Sequence, residues 1–231
     1  MDTLPLYIYL VFGLTVGLAI FLFYQATNRS KTFLAIMGGW LIIQSTISLS
    51  GFYTIVNTIP PRVSLLLIPP LVMTIMLFTT ARGQRFIDRL DLKTLTLFHI
   101  IRVPVELVLY CLFVYKTVPE LMTFEGRNFD ILSGLSAPII YYLYFVARKV
   151  SKPVLIGWNV ICLGLLVNIV TNAILSLPSV FQQFAFDQPN IAILYFPFVL
   201  LPGLLVPLVL FSHLAALRQL LATSTTPVTE R

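Results

Sequence analysis

Four side chains able to hold charge, donate a proton or bind a ligand recur at helical spacing within one apolar stretch: His99, Arg102, Glu106 and Tyr110. At about 100° per residue they share an arc of roughly 80°, so one helix face carries a basic-to-acidic ladder. If the stretch begins near Thr94, a rise of 1.5 Å per residue sets Arg102 about 12 Å deep and Glu106 about 18 Å deep. Ionisable groups buried in hydrocarbon cost a few kcal/mol each, so each needs a partner or a cavity. Arg102 and Glu106 stand four residues apart and can pair, locking this helix to its neighbours. The same two groups can line a wet binding site, where Glu106 could serve as an acid or base. Pro104 lies between them and leaves one helix carbonyl without its N–H.

Further polar residues interrupt other apolar stretches. Gln44 stands near the middle of one; Asn168 and Asn172 are about 40° apart on another. Tyr141 and Tyr144 share a face of a third. Amides at such places serve as interhelical glue or as ligand donors. The expected ligand-binding set is therefore Arg102, Glu106, Gln44, Asn168, Asn172, Tyr110 and Tyr141. The polar loop 116–130, with Glu120, Glu125, Arg127, Asn128 and Asp130, reads either as a cap over an outward cavity or as a solvated connection.

Several chemistries are excluded. Two histidines, His99 and His213, cannot make a three-histidine zinc site. Both lie near the same end of their helices and could meet, which leaves bis-histidine haem ligation geometrically open. The last apolar stretch has no lysine for a retinal Schiff base, and no phosphate-binding glycine motif or nucleophile elbow occurs. Cys111 and Cys162 read as buried thiols. No catalytic residue, metal or cofactor is expected, and an enzyme is the less favoured class.

The elements that must position these residues are membrane helices. Of the 231 residues 58% are apolar and 10% are charged, against roughly 25% charged in soluble domains. A soluble fold could not hide that much apolar surface, and a nucleic-acid partner is not expected. Crossing a bilayer takes about 20 apolar residues. Runs of that kind lie near 5–24, 33–56, 63–81, 94–115, 131–147, 154–176 and 191–215. The fold class is thus an all-α polytopic membrane protein with seven transmembrane helices. Arg29, Lys31, Arg82, Arg85, Arg89, Lys93, Arg148, Lys149, Lys152, Arg218 and Arg231 fall on one side, and only Arg62, Lys116 and Arg127 on the other. The positive-inside rule then gives an N-out/C-in orientation. Residues 82–93 alternate charges with Phe86, Ile87 and Leu90, as an amphipathic turn on the inner surface or a solvated loop would. The Thr-rich tail 222–231 reads as a disordered cytoplasmic segment.

An internal repeat is also legible. Gly39-Trp40 and Gly157-Trp158 each follow a lysine (Lys31, Lys149) and precede a proline (Pro60, Pro178) at equal spacing. Pro61 and Pro69 match Pro189 and Pro197 after a short insertion. The division predicted is 1–93 and 131–221 as three-helix halves, joined by 94–130. This 3+1+3 parallel arrangement resembles the SWEET sugar transporters in architecture, without a PQ-type motif, so no carbohydrate is carried over. Arg102-Val103-Pro104-Val105-Glu106 and residues 122–130, MTFEGRNFD, resemble stretches of uncharacterised bacterial seven-helix membrane proteins. That resemblance implies an integral protein of the bacterial inner membrane and supplies no activity. The expected function is binding or transport of an unknown small molecule in a cavity between the halves, the bilayer being the one partner expected. The alternatives are a seven-helix sensor or interaction protein and an intramembrane enzyme acting on a lipid or isoprenoid. Homo-oligomerisation is left open.

Overall fold

The computed structural model describes residues 4–222; of the tail 222–231 only its first residue falls within this range. In a bilayer every backbone polar group must be satisfied internally, and each apolar run accordingly contains helix. The helices are α1 (Leu6–Ala26), α2 (Lys31–Leu49), α3 (Ser64–Thr79), α4 (Ala81–Asp88), α5 (Leu92–Phe98), α6 (Arg102–Val114), α7 (Asp130–Tyr141), α8 (Lys152–Leu175) and α9 (Val206–Ala222). A 3₁₀ turn at His99–Ile101 joins α5 to α6. A π turn at Tyr142–Val146 extends α7, and another at Leu201–Leu205 leads into α9. Among the described residues five helices are long and apolar enough to cross a membrane: Leu6–Ala26, Lys31–Leu49, Leu92–Val114, Lys152–Leu175 and Leu201–Ala222. The bent pair α3–α4 makes six if it counts as one span, and Asp130–Val146 is a shorter apolar helix. The protein is an integral membrane protein with several spans.

Side-chain caps set three helix starts. Ser30 accepts from Phe33 N–H at α2, Thr80 from Gly83 N–H at α4, and Asp91 from Thr94 N–H at α5. Prolines set the irregular turns. Pro104 cannot donate to the carbonyl of Ile100, and the chain tightens to 3₁₀ at that point. Pro207 likewise has no N–H for the carbonyl of Gly203. The indole of Trp40 donates to that carbonyl instead, at 2.7 Å.

The expected inner amphipathic turn is a helix. α4 leaves α3 at 91°. Gly83 makes the bend, because a Cβ there would lie 2.3 Å from the carbonyl oxygen of Leu77. Ile87 is buried, while Arg82 and Arg85 are exposed. α4 is tied down by Arg218, whose guanidinium meets Asp88 at 2.9 Å, and by Gln219 donating to the carbonyls of Ile87 and Leu90. Asn28 donates to the carbonyl of Arg89 at the same end of the bundle. At the opposite end the loops after α6 and α8 are stitched together. Ile191 and Ala192 N–H donate to the carbonyl of Thr117, and Gln188 donates to that of Val118.

Aromatic packing forms much of the core. Phe23 stacks on Phe33 at 5.2 Å and meets Phe98 and Phe211 at 5.4 and 5.9 Å. α2 and α3 meet this core along narrow faces. Only Phe33, Met37, Gln44 and Ser48 of α2 are buried, and only Leu66 and Thr74 of α3.

The residues matched by the repeat do not share surroundings. Trp40 reaches across to Gly203, whereas Trp158 donates to Ser136 on the preceding helix. Pro69 lies inside regular helix, while Pro197 precedes the π turn in irregular chain. Equal spacing of rare residues does not give equal surroundings, because each indole finds a different acceptor.

Candidate functional site

Arg102 lies at the junction of the 3₁₀ turn and α6, 3% exposed, near the middle of the Leu92–Val114 span. It does not pair with Glu106. Its Nη1 donates to Asp130 at 3.2 Å and to the carbonyl of Cys162 at 3.3 Å; its Nη2 meets His213 Nε2 at 3.1 Å. A guanidinium has five N–H donors, which one carboxylate on the same helix could not satisfy. Acceptors from α7, α8 and α9 do so better, and the expected Arg102–Glu106 pair is replaced by a junction of α6 with three other helices. Both side chains face the interior, Glu106 at 2% exposure.

Hydrogen bonds fix the state of His213. Asn159 donates through Nδ2 to the carbonyl of Leu155, so its Oδ1 is turned to accept from His213 Nδ1–H at 2.9 Å. His213 Nε2 faces Arg102, which can only donate, and must therefore keep its lone pair. His213 is neutral, protonated on Nδ1. His99 stacks on it with ring centres 3.7 Å apart and planes 14° from parallel. Ser212 donates to the carbonyl of Leu95, leaving its oxygen 3.4 Å from His99 Nε2. The two histidines do meet, but face to face. Both ring nitrogens of His213 are engaged, which removes the haem option; among the described residues no group of three metal-ligating side chains occurs.

The loop 116–130 is no solvated connection at its far end. Asn128 is fully buried and Asp130 is 5% exposed. Gly126 permits the tight fold of the loop, since a Cβ would lie 2.4 Å from the carbonyl oxygen of Glu120. Asn128 then links three groups. Its amide donates to Glu106 Oε1 at 2.6 Å and to the carbonyl of Met122 at 3.0 Å, and its Oδ1 accepts from Asp130 N–H. That last bond starts α7, with Asp130 at the helix N-terminus, where negative charge is favoured. Gly134, one turn later, packs against Arg102 and Val103; a Cβ there would fall 2.9 Å from Val103 N. This close approach brings Asp130 into reach of Arg102.

The other expected site residues lie elsewhere. Gln44 is buried and accepts from the hydroxyl of Tyr53. Asn168 is exposed and donates to the carbonyl of Arg127; buried Asn172 donates to Asn168. Tyr110 stacks on Phe124 at 5.0 Å, and Tyr141 packs on Phe145 at 5.7 Å. Asn128, Asp130, Asn159 and His213 complete the network and lie outside the ligand-binding set expected from sequence. An amide and a carboxylate directly before an apolar run are the one local feature that sets Asn128 and Asp130 apart, and it does not tell a buried junction from a loop end.

Two cavities flank the π turn Leu201–Leu205. One, of about 70 Å³, is bordered by Leu201 and Pro202 on the turn and by Glu106, Asn128, Asp130 and Asn190. The other is a cleft of about 720 Å³ between α2, α3 and α9. Its wall is apolar except for Ser30 and Thr32 at one end, Thr74, and Trp40 bound to the Gly203 carbonyl. Exposed Ile36 and Ile43 of α2 and Met73 of α3 border it, so its opening faces sideways.

No curated protein and no solved structure matches this chain. A family model described as a domain of unknown function, DUF8737, matches residues 60–221, which include every member of the Arg102 network but neither α1, α2 nor Trp40. By that match the chain belongs to the DUF8737 family.

Proposed function

We propose that this protein binds a membrane amphiphile, with its apolar chain in the cleft between α2, α3 and α9 and its polar head at the Ser30–Thr32 end. The observation that carries the reading is the cleft itself, about 720 Å³ of apolar wall opening sideways. That volume falls within the range of sites that bury small-molecule ligands. Ser30, Thr32 and Thr74 supply the few hydroxyls that such sites use for orientation. At the head end, the chain neighbours of Ser30, Thr32 and Phe86 include exposed Arg29, Lys31 and Arg85, so an anionic head is favoured.

This reading takes the protein as seven crossings with the N-terminus outside, counting α3–α4 and Asp130–Val146 as spans. Support comes from the two ends of the bundle. Asn28, Arg89 and Arg218 meet at one, and the loops after α6 and α8 at the other, as strict alternation requires. The basic head end then faces the inner leaflet, whose anionic lipids attract such residues. The parallel repeat is not needed, and the unlike partners of Trp40 and Trp158 speak against building on it. Binding is favoured over lipid chemistry because Glu106 borders the other cavity, across the π turn. A chain in the cleft meets apolar side chains, the Trp40 ring and the Thr74 hydroxyl.

Native mass spectrometry of the full chain, released from mild detergent, tests the reading. An anionic amphiphile should remain bound to the native protein. Gly39 borders the cleft and has nothing within 4 Å of a Cβ, so Gly39→Phe should fold and lose that adduct. Equal adducts on both proteins would refute the proposed site.

A further inference from the structure

The smaller cavity carries a separate assignment. Two buried oxygens that border it have no hydrogen-bond partner among the described residues: Oε2 of Glu106 and Oδ1 of Asn190. Glu106 is 2% exposed and Asn190 fully buried, so ordinary solvent does not reach them. They come from unrelated parts of the chain, α6 and the loop after α8. Asn190 is held in place by its N–H donating to the carbonyl of Ser176 and by its amide, which donates to the carbonyl of Ala173. That second bond turns Oδ1 the other way. Buried acceptors left without donors cost about 1–3 kcal/mol each, and more if charged. Two of them around one cavity call for something that supplies positive charge or protons.

The charge balance narrows the class. Asp130 also borders the cavity but is paired with Arg102. His213 is neutral by its hydrogen bonds, and His99 lies stacked on it. The remaining borders of the cavity, from α3, α8 and the π turn, are apolar. With Arg102 and Asp130 cancelling, Glu106 when ionised is the one uncompensated negative charge on the cavity wall, and when neutral it holds a proton there. A divalent ion would over-neutralise that charge and would find no set of three ligating side chains among the described residues. A volume near 70 Å³ accommodates an ion with residual water, or about two waters.

We propose that Glu106 and Asn190 form a binding site for one small monovalent cation, either an alkali-metal ion or a proton carried on water. Asn128 orients the carboxylate by holding Oε1, which leaves Oε2 for the ion. Asn190 supplies a second free oxygen on the same cavity wall.

Thermal unfolding of the full chain in detergent tests this, with sodium, potassium or lithium chloride against choline chloride at fixed ionic strength and across neutral pH. A ligand bound only by the folded state raises Tm, here on the order of 5 °C at saturation. A rise specific to an alkali ion identifies that ion; a pH-dependent shift without alkali preference identifies the proton. Glu106→Gln keeps an oxygen for Asn128 and should abolish whichever response is seen. Asn190→Ala should weaken it at least tenfold in ion concentration, and it carries the test should Glu106→Gln not fold. No salt or pH response in the native protein would overturn the proposal, as would a response undiminished in both variants. Gly39→Phe should leave the response intact, which separates this site from the amphiphile cleft.

Discussion

Arg102 is buried with five N–H donors and no acceptor of its own, so its surroundings have to be built as acceptors. Asp130, the Cys162 carbonyl and His213 meet that need at Nη1 and Nη2, Nε has no partner among the described residues, and the Asn159–Leu155 bond in turn fixes His213. Removing one member of a buried pair strands the other at a cost of roughly 3–5 kcal/mol. Arg102→Met should therefore lower Tm by on the order of 10 °C in thermal unfolding. Adding Asp130→Leu should recover most of that loss, while adding Glu106→Leu should not. The sequence places Arg102 and Glu106 deep and facing inward, because lipid leaves charge no other choice. It does not reveal their partners. The i, i+4 spacing that favours ion pairs on exposed helices carries little weight where Asp130, Asn128 and His213 converge from outside the helix. Asp130 reads as part of a loop because nothing local shows the chain entering the bundle there.

Close approaches between elements decide where those partners stand. α7 can lie against the Arg102 turn because position 134 has no side chain. Gly134→Ala should push α7 away from Val103, disrupt the Arg102–Asp130 pair and cost about 1–3 kcal/mol. Gly164, on α8, has nothing within 4 Å of a Cβ, and Ala is a better helix former by about 1 kcal/mol. Gly164→Ala should accordingly be neutral or stabilising when the two variants are compared by chemical denaturation. The apolar runs show where helix forms, and the prolines mark where it departs from α geometry. What the runs do not show is direction: Thr80 and Gly83 together turn α4 by 91°, through a contact with Leu77 that no periodicity records.

Taken as a whole, the molecule has a tightly bonded polar junction among α6, α7, α8 and α9, and a looser apolar side where α2 and α3 bury only a few residues each. The repeated Gly-Trp pairs suggest two equivalent halves, yet Trp40 serves the π turn before α9 and Trp158 serves α7. Asymmetry of that kind arises in packing and is invisible in spacing. The looser side is where an amphiphile would enter, and Trp40 borders it. Trp40 and Trp158 are the chain's two tryptophans, so Trp158→Phe makes Trp40 the single indole reporter. The decisive measurement is quenching of its fluorescence in vesicles whose lipids carry bromine on the acyl chain. An anionic brominated lipid should quench Trp40 at a lower membrane fraction than a zwitterionic one, and Gly39→Phe should erase that preference. Equal quenching by both lipids, unchanged by Gly39→Phe, would mean that Trp40 meets only bulk bilayer and would contradict the cleft as a binding site.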